Sequence, residues 1–164
     1  MTCTLRLAEP KDAASVLGLI QGLADYEKES DAVVATAETI ADDLDGGSAV
    51  QITCLLAEVD DAVVGMALFF HSYSTWRGKP GLYLEDLYVQ PESRGQGIGM
   101  LLMEELARIA RSRDCARFEW SCLDWNEPSI KFYEALGAKQ MVGWSTFRLE
   151  GEALDQLGRK GADL

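Results

Sequence analysis

Leu82-Tyr83-Leu84-Glu85-Asp86-Leu87-Tyr88-Val89, then Gln90-Pro91-Glu92-Ser93, then Arg94-Gly95-Gln96-Gly97-Ile98-Gly99, is the stretch around which the chain is organised. Its first part is an apolar and aromatic run, strand-like, with two adjacent carboxylates in the middle. Pro91 breaks the run, an Arg-and-Gly loop follows, and a helix opens after Gly97. Glycines let a ligand approach the backbone, and the first amides of a helix have no intrahelical acceptor, so the junction is built to hold an anion. Neighbouring residues of a strand face opposite ways, so Glu85 and Asp86 cannot both be solvated in a central strand. The apolar flanks Leu82, Leu84, Leu87 and Val89 point to such a strand. An unpaired buried carboxylate costs several kcal/mol, which argues for at least one functional acid.

Outward from there, alternation at Leu5 and Leu7 marks an opening strand over 4–8. Pro10 and Asp12 start a helix, and Val16, Leu17, Ile20, Leu23 and Ala24 carry its apolar face to about Glu27. Asp25-Tyr26-Glu27-Lys28-Glu29 is either a solvated helix end or an acidic, aromatic lip for a cation. A second helix covers 36–44 and stops at Gly46-Gly47. The β-rich segments 50–59 and 62–73 form a hairpin about Asp60-Asp61, and 72–81 reads as a loop. Ile98, Leu101, Leu102, Leu106, Ile109 and Ala110 share one face of the helix after the glycine loop. Segment 115–122 is the next strand. Asn126 caps a short helix with Pro128 in its first turn and Gly137 at its stop. Residues 141–149 supply one or two closing strands, and 152–157 a terminal helix. The order βααβββαβαβ predicts a mixed α/β (α+β) single domain over 1–164, a largely antiparallel sheet flanked by helices.

The chain has 164 residues, 48% hydrophobic, with 15 basic and 27 acidic residues, a formal charge of −12. That charge excludes nucleic acid as the main partner and suits a cationic substrate. No apolar run is long enough to span a bilayer and no leader pattern opens the chain, so a cytoplasmic protein without a membrane partner is expected. Cys3, Cys54, Cys115 and Cys122 lack metal-type spacing, and His71 is the sole histidine. No metal is expected, nor a Ser-His-Asp triad, since no Gly-x-Ser-x-Gly elbow exists. The loop matches neither the dinucleotide spacing Gly-x-Gly-x-x-Gly nor a Gly-Lys-Ser/Thr phosphate loop. What remains is Arg94-x-x-Gly97-x-Gly99 at a strand-to-helix junction, which favours a phosphate-bearing ligand.

That pattern, with Tyr83-Leu84-Glu85-Asp86 before it and Trp125-Asn126-Glu127-Pro128-Ser129 before Phe132-Tyr133, resembles the GNAT superfamily of N-acetyltransferases. Within it, Leu23-Ala24-x-Tyr26-Glu27 and Trp76-x-Gly78-Lys79 are similar to the diamine acetyltransferase branch, which includes spermidine/spermine and thialysine acetyltransferases. The resemblance implies acetyl-CoA as acetyl donor and direct transfer to a primary amine of a diamine, polyamine or lysine/ornithine-like amino acid. It implies that Leu87, Tyr88 and Val89 bind the pantetheine arm and that Arg94, Gly95, Gln96, Gly97, Ile98, Gly99 and Met100 cradle the pyrophosphate. Asn126 and Ser129 would hold the donor from the next helix. Tyr133 would be the general acid toward the departing thiolate and Glu85 the base, through water. Tyr26, Glu27, Asp86, Glu119, Trp120 and Ser121 would line the substrate groove, and the protein would be a homodimer. Glu119-Trp120-Ser121 departs from the pattern of polyamine enzymes. Rival readings are a protein lysine or N-terminal acetyltransferase and a non-catalytic acyl-CoA sensor.

Overall fold

The computed structural model describes residues 2–161. They form two compact units, one ending at Ser121 and the other beginning at Cys122.

In the first unit five strands make one sheet in sequence order, β1 (Cys3–Leu7), β2 (Thr53–Val59), β3 (Ala62–Ser74), β4 (Lys79–Val89) and β5 (Phe118–Trp120). Neighbours are antiparallel except β4 and β5, which are parallel. The mixed α/β fold expected of the sequence is the fold observed. Asp60 and Asp61 both take left-handed backbone, φ 50° and 63°, as the tight turn between β2 and β3 requires. The expected loop over 72–81 is mostly strand. Ser72 pairs with Gly81, Tyr73 with Pro80 and Ser74 with Lys79, leaving a short turn about Gly78. Pro80 is tolerated because it lies at the start of its strand, where its carbonyl accepts from the Ala116 amide at 2.8 Å.

Helices α1 (Ala13–Tyr26) and α2 (Ala37–Leu44) lie over one face of the sheet. Ala13, Val16, Leu19 and Ile40 pack with Cys54, Leu56, Met66, Leu68 and Tyr88 in one core. Burying each larger member contributes ~1.5–3 kcal/mol. Arg6 fastens the entry to α1: its guanidinium donates to both Asp12 carboxylate oxygens at 2.7 and 2.9 Å and to Glu58 at 2.9 Å. Thr36 and Thr39 cap α2 reciprocally.

Helix α3 (Ile98–Ser112) buries Ile98, Leu102, Met103, Leu106, Ile109 and Ala110. Leu101, expected inside, is 39% exposed, and Met103 takes the inner position. At about 100° per residue the stripe through 98, 102, 106 and 109 is flanked by 103 and 110, with 101 at its margin. Strand β5 is three residues rather than the eight expected.

The second unit holds α4 (Glu127–Ala135) and α5 (Gly151–Gly158). The strands expected over 141–149 are not formed. An extended chain becomes a strand only when another chain takes its N–H and C=O groups, and no pairing involves this segment among the described residues. Val142, Trp144 and Phe147 are exposed there. Among the described residues no helix is long and apolar enough to cross a membrane.

Candidate active site

The register of β3 and β4 decides where the two acids go. Leu68 pairs with Asp86 and Phe69 with Leu84, so Glu85 is an extra residue on β4, a one-residue bulge. Glu85 is exposed as a result. The bulge also shifts the alternation, so Tyr83, Asp86 and Tyr88 come to one face, the face of α1 and α2. Tyr88 belongs to that core. The Tyr83 ring lies 5.2 Å from that of Phe70, two residues along β3 from Leu68.

Asp86 is half-buried on this face. Burial, then the charges of Glu85 and Glu27, pushes its carboxyl from 3.8 up to about 6. Burial, then Glu29, pushes the Glu27 carboxyl up as well. The Cys54 thiol, buried on the same face with Leu68 paired between it and Asp86, rises to about 12 from burial and then that acid's charge. A half-buried carboxylate held up by neighbouring acids is suited to receive a cation.

Beyond Leu84 the other edge of β4 is released. Its pairing with β5 stops at Leu84 opposite Trp120, and no strand pairs that edge over Glu85–Val89 among the described residues. Pro91–Ser93 forms a 3-10 turn after β4. Gly95 and Gly97 then take φ of 75° and 80°, and a Cβ at either would meet no atom within 4 Å. Gly97 is the residue before α3 and offers no side-chain cap. The amides of Ile98, Gly99 and Met100 thus open onto uncovered backbone. Arg94 is set beside them: its Nε donates to the Val89 carbonyl at 2.8 Å, and its guanidinium carbon lies 5.0 Å from the Tyr26 ring centre and 5.4 Å from that of Tyr88. An open glycine turn, a helix start and a fixed guanidinium fit a pyrophosphate.

Tyr26, expected on the substrate lip, is therefore engaged by the loop arginine. The Tyr88 side chain, expected to matter only for its backbone, supplies the second ring. Gly22 makes room for it, since a Cβ there would stand 2.7 Å from the Tyr88 hydroxyl. A glycine inside an otherwise sound helix was the only sequence signal for this contact.

Strand β5 completes the face. Tyr83 stands opposite Glu119, and its hydroxyl is 3.0 Å from the Ser121 hydroxyl. Arg117, which the sequence did not single out, pairs with Glu119 at 2.8 Å, both partly exposed. Trp120 packs edge-on against Phe118 at 4.9 Å. The first unit thus gathers Tyr26, Glu27, Glu85, Asp86, Leu87, Tyr88, Val89, the loop over 94–100, Glu119 and Ser121, whereas Trp120, opposite Leu84 in the register and packed on Phe118, falls on the other face of the sheet.

Asn126, Ser129 and Tyr133 belong to the second unit. The Asn126 carboxamide oxygen accepts from the Ser129 amide at 3.4 Å, capping α4, and Asn126 is buried. Pro128 occupies the first turn, where no amide is needed. Tyr133 is half-buried, its ring 5.3 Å from Phe132. Among the described residues no three His, Cys, Asp or Glu are placed to hold a metal ion.

Comparison with known proteins agrees with this geometry. Residues 19–138 match the Acetyltransferase (GNAT) family model. The chain is 41% identical over 168 residues to a thialysine N-epsilon-acetyltransferase of Bos taurus, covering 95% of this chain and 97% of that protein. It is 39% identical to the Sus scrofa protein of the same name, with the same coverage. An integron cassette protein from the mobile metagenome of V. cholerae has the same fold, with a TM-score of 0.79 and 26% identity over 97% of this chain and 99% of that one. The chain belongs to the GNAT family and is an acetyltransferase.

Proposed function

We propose that this protein moves an acetyl group from acetyl-CoA directly to a primary amine of a small diamine, polyamine or lysine/ornithine-like amino acid. The observation that carries the reading is Asp86, tuned to about 6 beside Glu27, on a strand that runs straight into the glycine and Arg94 loop. The relatives named for thialysine support an amine acceptor.

Acetyl-CoA, when bound, supplies the acetyl thioester. The amides over 94–100 and the Arg94 guanidinium hold its phosphates, the released edge of β4 at Leu87–Val89 takes the pantetheine, and Asn126 and Ser129 contribute from α4. A lysine-like amine titrates near 10.4 and arrives as an ammonium. Asp86 and Glu27 receive that cation. Glu85, turned out to water by the bulge, accepts the proton that the nitrogen must lose. The N–C bond would form as the C–S bond breaks, the Tyr133 phenol protonating the leaving thiolate and regaining a proton from the acylated nitrogen, which sheds its second proton to become the neutral amide. No acyl-enzyme is required, because both reactants meet on one surface. The exposed apolar segment around Trp144 and Phe147 is consistent with a homodimer in which a second copy covers it, which gel filtration with light scattering would test.

The deciding experiment is thiol release from acetyl-CoA by the purified protein across a panel of primary amines. Release with at least one small amine is expected. No release with any, alongside activity on a lysine-containing peptide, would replace the reading with a protein acetyltransferase.

A further inference from the structure

The acceptor face carries more than acids, and its order along the sheet selects a substrate. Three ladder positions on β3 follow one another: Leu68 opposite Asp86, Phe69 opposite Leu84, and Phe70 opposite Tyr83. Tyr83 in turn stands opposite Glu119 on β5. Asp86 and the Glu119 position are thus two ladder steps apart along the strands, ~7 Å at about 3.3 Å per step. Tyr83, the next residue back from Asp86 to face this side of β4, shares the Glu119 row and sets its ring 5.2 Å from that of Phe70. At the far end Arg117 and Glu119 form an ion pair at 2.8 Å, with side chains 44% and 38% exposed. Arg117 also reaches the Tyr73 carbonyl at 3.5 Å, so its guanidinium is held over this face.

A polyamine offers only cations, and a site for one needs only acids and aromatic surface. A fixed guanidinium in its path is a like charge and works against it. An α-amino acid ending in an amine offers a cation at one end, a four-carbon apolar stem, and both charges at the other. That order is the order on the sheet. We infer that Arg117 and Glu119 form the recognition site for the α-carboxylate and α-ammonium of a lysine-type amino acid, whose side-chain amine sits at Asp86. The inference rests on the amine-acetylation reading above and narrows its substrate class. Guanidinium and carboxylate geometries match in a two-bond fork, so Arg117 can take the substrate carboxylate while Glu119 turns to the ammonium. Partial exposure of the pair keeps the exchange of partners inexpensive.

The test uses four acceptors that separate the charges: lysine, its decarboxylated counterpart cadaverine, 6-aminohexanoate, which keeps the carboxylate and lacks the α-amine, and hexylamine. Native protein should prefer lysine to cadaverine by at least about tenfold in kcat/KM, with the difference in KM. Arg117→Gln should remove that preference by raising KM for lysine and 6-aminohexanoate and lowering it for cadaverine, whose second ammonium no longer meets a like charge, while hexylamine is unchanged. Glu119→Gln should penalise lysine and spare 6-aminohexanoate. Arg117→Lys keeps the charge, loses the fork and should fall between native and Arg117→Gln, which controls for folding. Equal use of lysine and cadaverine by the native protein, or a uniform loss across all four acceptors in Arg117→Gln, overturns the inference and leaves acetyl transfer to amines standing. No thiol release with any acceptor overturns the amine reading itself.

Discussion

Replacing Asp86 with asparagine should make this protein more stable and less active. The carboxyl moves from 3.8 to about 6 on folding, so the folded state binds its proton more tightly than the unfolded chain does. Native stability therefore falls as pH climbs from about 4 to about 6, and the full cost is present above that range. At ~1.4 kcal/mol per pH unit of separation, the cost at pH 7.5 is about 3 kcal/mol. A carboxamide in its place would carry no charge to desolvate and would not feel the charges of Glu85 or Glu27. For a chain of this size 1 kcal/mol is worth ~2–4 °C, so Asp86→Asn should raise the melting temperature by about 6–12 °C at pH 7.5. The gain should shrink as the buffer is taken through pH 6 and vanish near pH 4, where both proteins are neutral at this position. Urea denaturation of the two proteins at pH 7.5, 6.0 and 4.5 measures the difference directly, and titrating groups not coupled to Asp86 cancel in the comparison. The same variant should show a KM for the amine raised by about tenfold or more, through loss of the charge that receives it. A melting temperature that is unchanged or lower at pH 7.5, or a gain that is the same at all three pH values, would refute the claim that desolvation and the neighbouring acids set this group.

Further outcomes are expected at five other positions. Glu85→Gln should lower kcat most near neutral pH with little change in amine KM, and Tyr133→Phe should lower kcat about 10–100-fold at saturating substrate; steady-state pH profiles check both. Gly18→Ala should stabilise α1 by up to ~1 kcal/mol, because nothing lies within 4 Å of the new methyl, whereas Gly22→Ala should destabilise by about 1–2 kcal/mol net, since the clash with the buried Tyr88 ring exceeds the gain in helix propensity; paired thermal melts read the opposite signs. Arg94→Gln should raise KM for acetyl-CoA by about 10–100-fold while amine specificity keeps its rank order, as two-substrate kinetics would show.

Most of the architecture was legible because it is carried by local chemistry. Asp60-Asp61 announces its turn, Thr36 and Asn126 their helix starts, and the 3.6-residue stripe its α3. What was not legible depends on count and on partners. Nothing in Leu84-Glu85-Asp86 marks a bulge, yet that extra residue decides which acid is exposed and which is half-buried. Apolar alternation in 141–149 reads as strand because propensity measures fitness for a sheet and not whether an edge is there to receive it. Leu101 and Met103 sit on opposite margins of that stripe, about 200° apart, and a small roll of the helix decides which of them is covered. The acidic, aromatic helix end was identified, but Tyr26 is turned to Arg94, a contact between residues 68 positions apart that only the fold could show. Arg117 escaped notice since a lone arginine just before a short strand looks like surface until its partner and register are known.

The Arg94 guanidinium between the Tyr26 and Tyr88 rings has a thermodynamic consequence. Tyr26 closes α1 one residue before Glu27, and Tyr88 follows Asp86 by two on β4, so both elements that bear the acids proposed for the acceptor touch the cation proposed for the donor's phosphates. Whatever a phosphate does to the orientation of Arg94 is transmitted to the two segments that carry those acids. The two ligands would then be energetically linked, and linkage is reciprocal: the factor by which donor tightens acceptor must equal the factor by which acceptor tightens donor. Calorimetry of the amine with and without coenzyme A should give unequal affinities, and Tyr26→Leu should bring the two values together. Equal affinities in the native protein would show that the ring pair is a clamp on the loop alone.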